Sequence, residues 1–217
     1  MIKTRYHRFV AIVFAAGLLA VTGGVQSARA ADSKGMFAVH GAGGLHCGDV
    51  TAALLRGDVS IRPSLASWLL GYLSAMNRLQ PDTYDVTPVQ APEAIINLVV
   101  AVCQQNASMA VETAAYSAFR DLSSAGLSAE SPEVQVSANG QTTTLRKDTL
   151  IALQKYLIGE KLLHGEADGS FGAPTQAALA EFQKKQNLPQ TALPDPATIV
   201  RALVQIPAQA KAAPPKK

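Results

Sequence analysis

Apolar residues recur at helical spacing over most of this chain. Leu65, Trp68, Leu69, Tyr72 and Met76 follow one another at three- and four-residue steps, which places them on one face of a helix. Pro63 stands near its opening, where a missing N–H does no harm. Gly71 is read on that same face, as a point where another helix approaches closely. Before it, residues 49–55 read as a short helix that stops at Gly57. Pro92 opens a third helix, with Ile95, Leu98, Val99 and Val102 inward and Cys103 near its end. Residues 109–122 form a fourth, with Val111, Ala115, Ala118, Phe119 and Leu122 inward. The Pro-bounded stretch 81–88 is an extended loop.

The pattern changes after residue 122. Residues 123–132 are small and polar and end in Pro, the composition of a linker. Two alternating runs, 134–138 and 141–145, flank Asn139-Gly140, the favoured dipeptide of a two-residue hairpin turn. Helical spacing then returns. Leu150, Leu153 and Leu157 face inward from one helix, and Thr175, Leu179 and Phe182 from a second, with Pro174 near its start. Ile199 and Leu203 face inward from a third, opened by Asp195 as N-cap and Pro196. The expected fold is mainly α: a disulfide-linked four-helix N-terminal domain (45–125), a linker and β-hairpin (126–145), and a three-helix C-terminal domain (146–206). A Gly-rich flexible lead-in (31–44) precedes them, and a disordered Ala/Pro/Lys tail (207–217) follows.

The first thirty residues change the picture of the charge. Lys3, Arg5 and Arg8 precede thirteen apolar residues, 9–21, and a Thr-Gly-Gly break. Gln26-Ser27-Ala28-Arg29-Ala30 then offers a small-x-small cleavage site. This is the layout of a secretory signal peptide (1–30). A thirteen-residue helix spans about 20 Å, short of the roughly 30 Å hydrocarbon core, so no stable membrane span is expected after cleavage through the Sec route. Removing the four bases of this segment from the chain's 19 leaves 15, against 16 acids. That balance argues against nucleic-acid binding. In an exported chain, Cys47 and Cys103 allow one disulfide. The alternative, a metal site recruiting His40 and His46, has spacing that matches no common ligand pattern.

The stretch from Leu150 to Leu203 resembles the peptidoglycan-binding-like domain of bacterial cell-wall proteins. The resemblance is carried by Leu153-Gln154, Asp168-Gly169-Ser170-Phe171-Gly172, Thr175 and Phe182-Gln183, and continues through Leu188, Thr191, Asp195, Thr198 and Leu203. It implies a compact three-helix fold, peptidoglycan as partner, and a wall-associated, periplasmic location. The candidate binding residues are Gln154, Asp168, Gly169, Ser170, Phe171, Gly172, Thr175 and Gln183, with a shallow groove expected beside the 168–175 loop. Most of these positions also have a structural reading: Phe171 as a core plug, Asp168-Gly169 as a tight turn, and the Gln154 and Gln183 amides as partners of loop backbone. One position departs from the family. Ala192 stands where glycine is usual, and alanine at positive φ costs about 1 kcal/mol.

Residues 45–122 resemble the HdeA/HdeB family of periplasmic acid-stress chaperones. The marks are Cys47, the aromatic helix Trp68-Leu69-Leu70-Gly71-Tyr72, a long loop, and Cys103 followed by Gln104-Gln105-Asn106. The resemblance implies a homodimer that loosens in acid and takes up protein clients. Residues 31–125 hold eight acids and five bases, so full protonation with both histidines charged swings the segment from −3 to about +7. Trp68 and Tyr72, one helical turn apart, are either core or a partner surface. No nucleophile elbow, metal-binding His pair or phosphate loop occurs, and Glu166 and Asp168 lie in a turn. The expectation is a non-catalytic protein without cofactor or metal. It binds peptidoglycan, and its N-terminal domain engages a periplasmic protein partner; the alternative is a wall-associated chaperone.

Overall fold

The computed structural model describes residues 31–204. The expected signal peptide (1–30) and the expected tail (207–217) lie outside the described residues. Seven α-helices are described: α1 Cys47–Leu55, α2 Ile61–Leu79, α3 Pro92–Cys103, α4 Val111–Leu122, α5 Lys147–Gly159, α6 Ala173–Lys185 and α7 Pro196–Leu203. One antiparallel pair, β1 Glu133–Ala138 and β2 Gln141–Arg146, stands between α4 and α5. The architecture is the expected mainly helical one with a small hairpin.

The first four helices close on a core of Leu65, Leu69, Leu73, Ile95, Ile96, Val99, Val111, Ala115, Phe119 and Leu122. Cys47 and Cys103 are bonded and buried in it, joining the start of α1 to the end of α3. The N–H groups that open α1 have no side-chain cap and would be orphaned. The α3–α4 loop supplies them: Cys47 N donates to Met109 O and Gly48 N to Ala107 O, both at 2.8 Å, while Val111 N returns a bond to Leu45 O at 2.9 Å.

Three expectations need correction here. Gly71 is exposed, and no atom lies near the position a side chain would occupy. It sits about 200° around the helix from Leu69, opposite the Leu65–Leu69–Leu73 stripe. The close approach belongs instead to Gly43, where a Cβ would overlap the Trp68 ring. The lead-in is therefore not free to its end, since Gly41–Gly44 forms a 3₁₀ helix with Ala42 and Gly43 buried. The expected linker is likewise held. Leu127 N donates to Asp85 O at 2.8 Å, and Tyr84 N to Leu127 O at 2.8 Å. Ser131, 1% exposed, accepts from Asp148 N through its hydroxyl at 2.9 Å and from Arg146 Nη1 through its carbonyl at 3.1 Å.

The hairpin turns through Asn139 (φ 52°) and Gly140 (φ 74°). Two positive φ values in a two-residue loop fit a type I′ turn, whose twist matches the strands. The register sets Val134 opposite Leu145 and Val136 opposite Thr143. The inner face of the hairpin packs on Leu150, Leu193 and Ile199, and Val89 from the α2–α3 loop enters the same cluster. Val200 and Val204 in turn pack against the core of the first four helices. From Val39 onward the described chain forms one compact unit.

The disulfide closes a loop of about 57 residues, for which loop entropy predicts roughly 4 kcal/mol. Replacing both cysteines with alanine should lower unfolding stability by about 2–5 kcal/mol, read as a shift in urea midpoint against the oxidised protein. An unchanged midpoint would show that the cross-link adds nothing to this fold.

Candidate functional site

The candidate wall-binding residues divide between two loops built on one plan. α5 turns Gln154 inward, and α6 does the same with Gln183; both are almost fully buried. Gln154 Oε1 accepts from Gly169 N at 2.8 Å, and its Nε2 donates to Ser170 O at 2.9 Å. Gln183 Oε1 accepts from Ala192 N at 2.9 Å, and its Nε2 donates to Leu193 O at 3.0 Å. In each loop the residue bonded to Oε1 has positive φ, 74° at Gly169 and 58° at Ala192. Six positions later a buried threonine, Thr175 or Thr198, places its hydroxyl near the same Nε2, at 3.3 and 2.9 Å. Each glutamine thus pairs one backbone donor and one backbone acceptor of its loop, part-buried in the first loop and buried in the second.

Ala192 takes up the conformation expected of glycine. Its methyl joins the apolar cluster of the hairpin and α7. Burying a methyl recovers about 0.8 kcal/mol, nearly balancing the roughly 1 kcal/mol of left-handed strain. Gly169 has less latitude, because a Cβ there would stand 2.8 Å from Lys147 Cε and 3.1 Å from Ile151 Cγ1, so both neighbours would have to give.

Of the other candidates, Asp168, Ser170 and Gly172 are exposed and Phe171 is half-buried, packed against both C-terminal clusters. Asp168 Oδ1 accepts from Ser170 N at 2.8 Å. Bonds from the backbone and side chain of Ser170 hold the Asp168 carboxyl below the ordinary aspartate value. None of residues 168–175 lines either of the two cavities described.

Trp68 and Tyr72 are half-buried and stacked, with ring centroids 5.0 Å apart, and Tyr72 leans on Phe119. The Tyr72 hydroxyl donates to Glu112 Oε1 at 2.8 Å. Burial, then the bond to Glu112, keeps that hydroxyl protonated well above its ordinary range. Most of this pair therefore faces the core. Among the described residues no group of His, Cys, Asp and Glu is placed to hold a metal, and no helix is long and apolar enough to cross a membrane.

The feature that sequence reasoning missed is a cleft of about 790 Å³ between α3 and α7. Its walls come from residues about one hundred positions apart, so no local pattern announces it.

Residues 146–201 match the family described as "Putative peptidoglycan binding domain", about a quarter of the chain. The stretch begins just before α5 and ends within α7, and it contains both glutamine-braced loops. A domain of this family binds and is not catalytic by itself; it suggests peptidoglycan as a partner and fits a wall-associated location. No curated protein and no solved structure matches the chain. The resemblance of residues 45–122 to acid-stress chaperones thus gains no support from the comparisons.

Replacing Gln154 or Gln183 with leucine should lower stability by about 2–4 kcal/mol each, because two backbone groups lose their partner at once; urea unfolding measures this. Asp168→Ala adds a pH signature. A carboxyl depressed in the folded state stabilises above the unfolded value near 3.8, and that contribution is lost as pH falls through the folded value. The stability gap between wild type and Asp168→Ala should therefore narrow below pH 4. A gap that widens in acid would contradict the hydrogen-bonded carboxylate.

Proposed function

We propose that this is an exported, non-catalytic protein that holds to peptidoglycan through its C-terminal segment and presents its N-terminal helices to a periplasmic protein partner. The observation that carries the reading is the family match over 146–201. It is supported by two braced loops at which Gln154, Gly169, Thr175 and Gln183 occupy positions of the family pattern. Exposed Asp168, Ser170 and Gly172 are the members of the candidate set accessible to a ligand. Exposed Leu79, beside Tyr72 and Met76 in a small hollow, is where the partner would meet the N-terminal helices.

A second reading, the acid-stress chaperone acting as a homodimer, is favoured by one contact. The Tyr72–Glu112 bond joins α2 to α4 at the ring that stacks on Trp68, and the strongly positive charge that residues 31–125 acquire in acid would pull on that junction.

The mature chain, from residue 31, should sediment with purified sacculi and remain in solution without them. If it stays in the supernatant at all salt concentrations, peptidoglycan binding is wrong. The chaperone reading requires Trp68 emission to shift to the red near pH 3, with rescue of aggregating clients. Emission unchanged to pH 2 without rescue leaves the adaptor reading alone.

A further inference from the structure

The cleft between α3 and α7 has the size and lining of a ligand site. Its volume, about 790 Å³, falls within the range of small-molecule and peptide pockets, which are largely apolar with a few polar groups fixing orientation. Ala94 and Ala101 on α3 face Ala197 and Val200 on α7, so both walls are low and apolar. Two polar side chains stand in it, Asn97 from α3 and Arg201 from α7. Among the described residues no carboxylate pairs with Arg201, whereas Arg62, near Asn97, is tied to Glu93. The lining contains no acidic residue. A guanidinium without a counter-ion beside an apolar trough suits a ligand with a carboxylate and small apolar groups.

Peptidoglycan carries one component of that chemistry. Its stem peptides are short, rich in alanine methyls and end in a free carboxylate, while its glycan strands are polar throughout. We propose that the α3–α7 cleft receives a peptidoglycan stem peptide, with its terminal carboxylate on Arg201, its alanine methyls against Ala101, Ala197 and Val200, and its backbone amide within reach of Asn97. This rests on the peptidoglycan reading and deepens it by naming the moiety and moving the contact from the braced loops to a composite site. Half of that site comes from α3, outside the matched segment. The loops keep a different task, since the Gln154 and Gln183 amides are spent on the loop backbone, and α7 is held in place by the second of them through Gln183 and Thr198.

The test uses the whole mature chain. Arg201, Ala101 and Ala197 are exposed, so Arg201→Glu, Ala101→Trp and Ala197→Trp should fold, which circular dichroism and the unfolding midpoint verify. Wild type should sediment with sacculi, and each variant should bind at least about tenfold more weakly, the scale of one charge-assisted hydrogen bond. A synthetic stem pentapeptide with a free carboxylate should compete for sedimentation. Its C-terminal amide should compete about tenfold less well, and the disaccharide of the glycan not at all. If wild type sediments and the folded variants bind as well as it does, the cleft is not the site, although peptidoglycan binding stands. If the disaccharide competes and the pentapeptide does not, the ligand is the glycan and the inference is overturned. If wild type does not sediment, both the inference and the reading beneath it fail.

Discussion

The C-terminal segment depends on a single requirement: a sharp loop folded into a protein must find partners for its own N–H and C=O groups. A side-chain amide is neutral at every ordinary pH and offers a donor and an acceptor side by side. Here Gln154 and Gln183 each meet one loop edge-on, as a neighbouring strand would, but from a helix. Each unpaired buried group costs about 1–3 kcal/mol, against a total stability of about 5–15 kcal/mol for a typical domain. Shape follows from this constraint. The first loop sets where α6 begins, the second sets where α7 begins, and Asp195, whose carboxylate caps Thr198 N, also lies within reach of Gln183.

Local signals in the sequence were read with success where the determining contacts are local. α2, α3, α6 and α7 each begin within two residues of a proline, with Asp195 capping the last, and Asn139-Gly140 adopts the positive φ pair its identity suggested. The two cysteines form the one bond open to them. The glutamines were legible too, since their matched positions pointed to loop backbone. What remained hidden depends on partners far away in the chain. Gly71 and Gly43 differ only in whether an aromatic ring arrives from another segment. Residues around Leu127 have a linker's composition, yet their backbone pairs with Tyr84 and Asp85. Ala192 shows a third kind of gap, in which a local penalty of known sign is nearly cancelled by packing that only the folded protein reveals.

The two halves read from the sequence share more than a connection. Val89 belongs to the cluster of the hairpin and α7, and Val200 and Val204 reach the core of the first four helices. Such apolar contact favours a fixed relation between the segment that matches the peptidoglycan-binding family and the helices before it, rather than two beads on a tether. A partner on the N-terminal helices would then be held in a defined orientation to whatever α5–α7 bind.

The Cys47–Cys103 bond would take on a mechanical meaning if the C-terminal segment were anchored and the chain pulled. Tension applied along the chain enters at residue 47 and leaves at residue 103 through two sulfur atoms, bypassing everything between them. α2 and most of α1 and α3 lie inside that bypass. About 57 residues at roughly 3.3–3.6 Å each make about 190–205 Å of contour that pulling cannot release while the bond is intact. A stretched molecule would therefore lengthen only outside that loop, through α4, the hairpin and the braced loops, and the chain that carries Trp68 would not be drawn out.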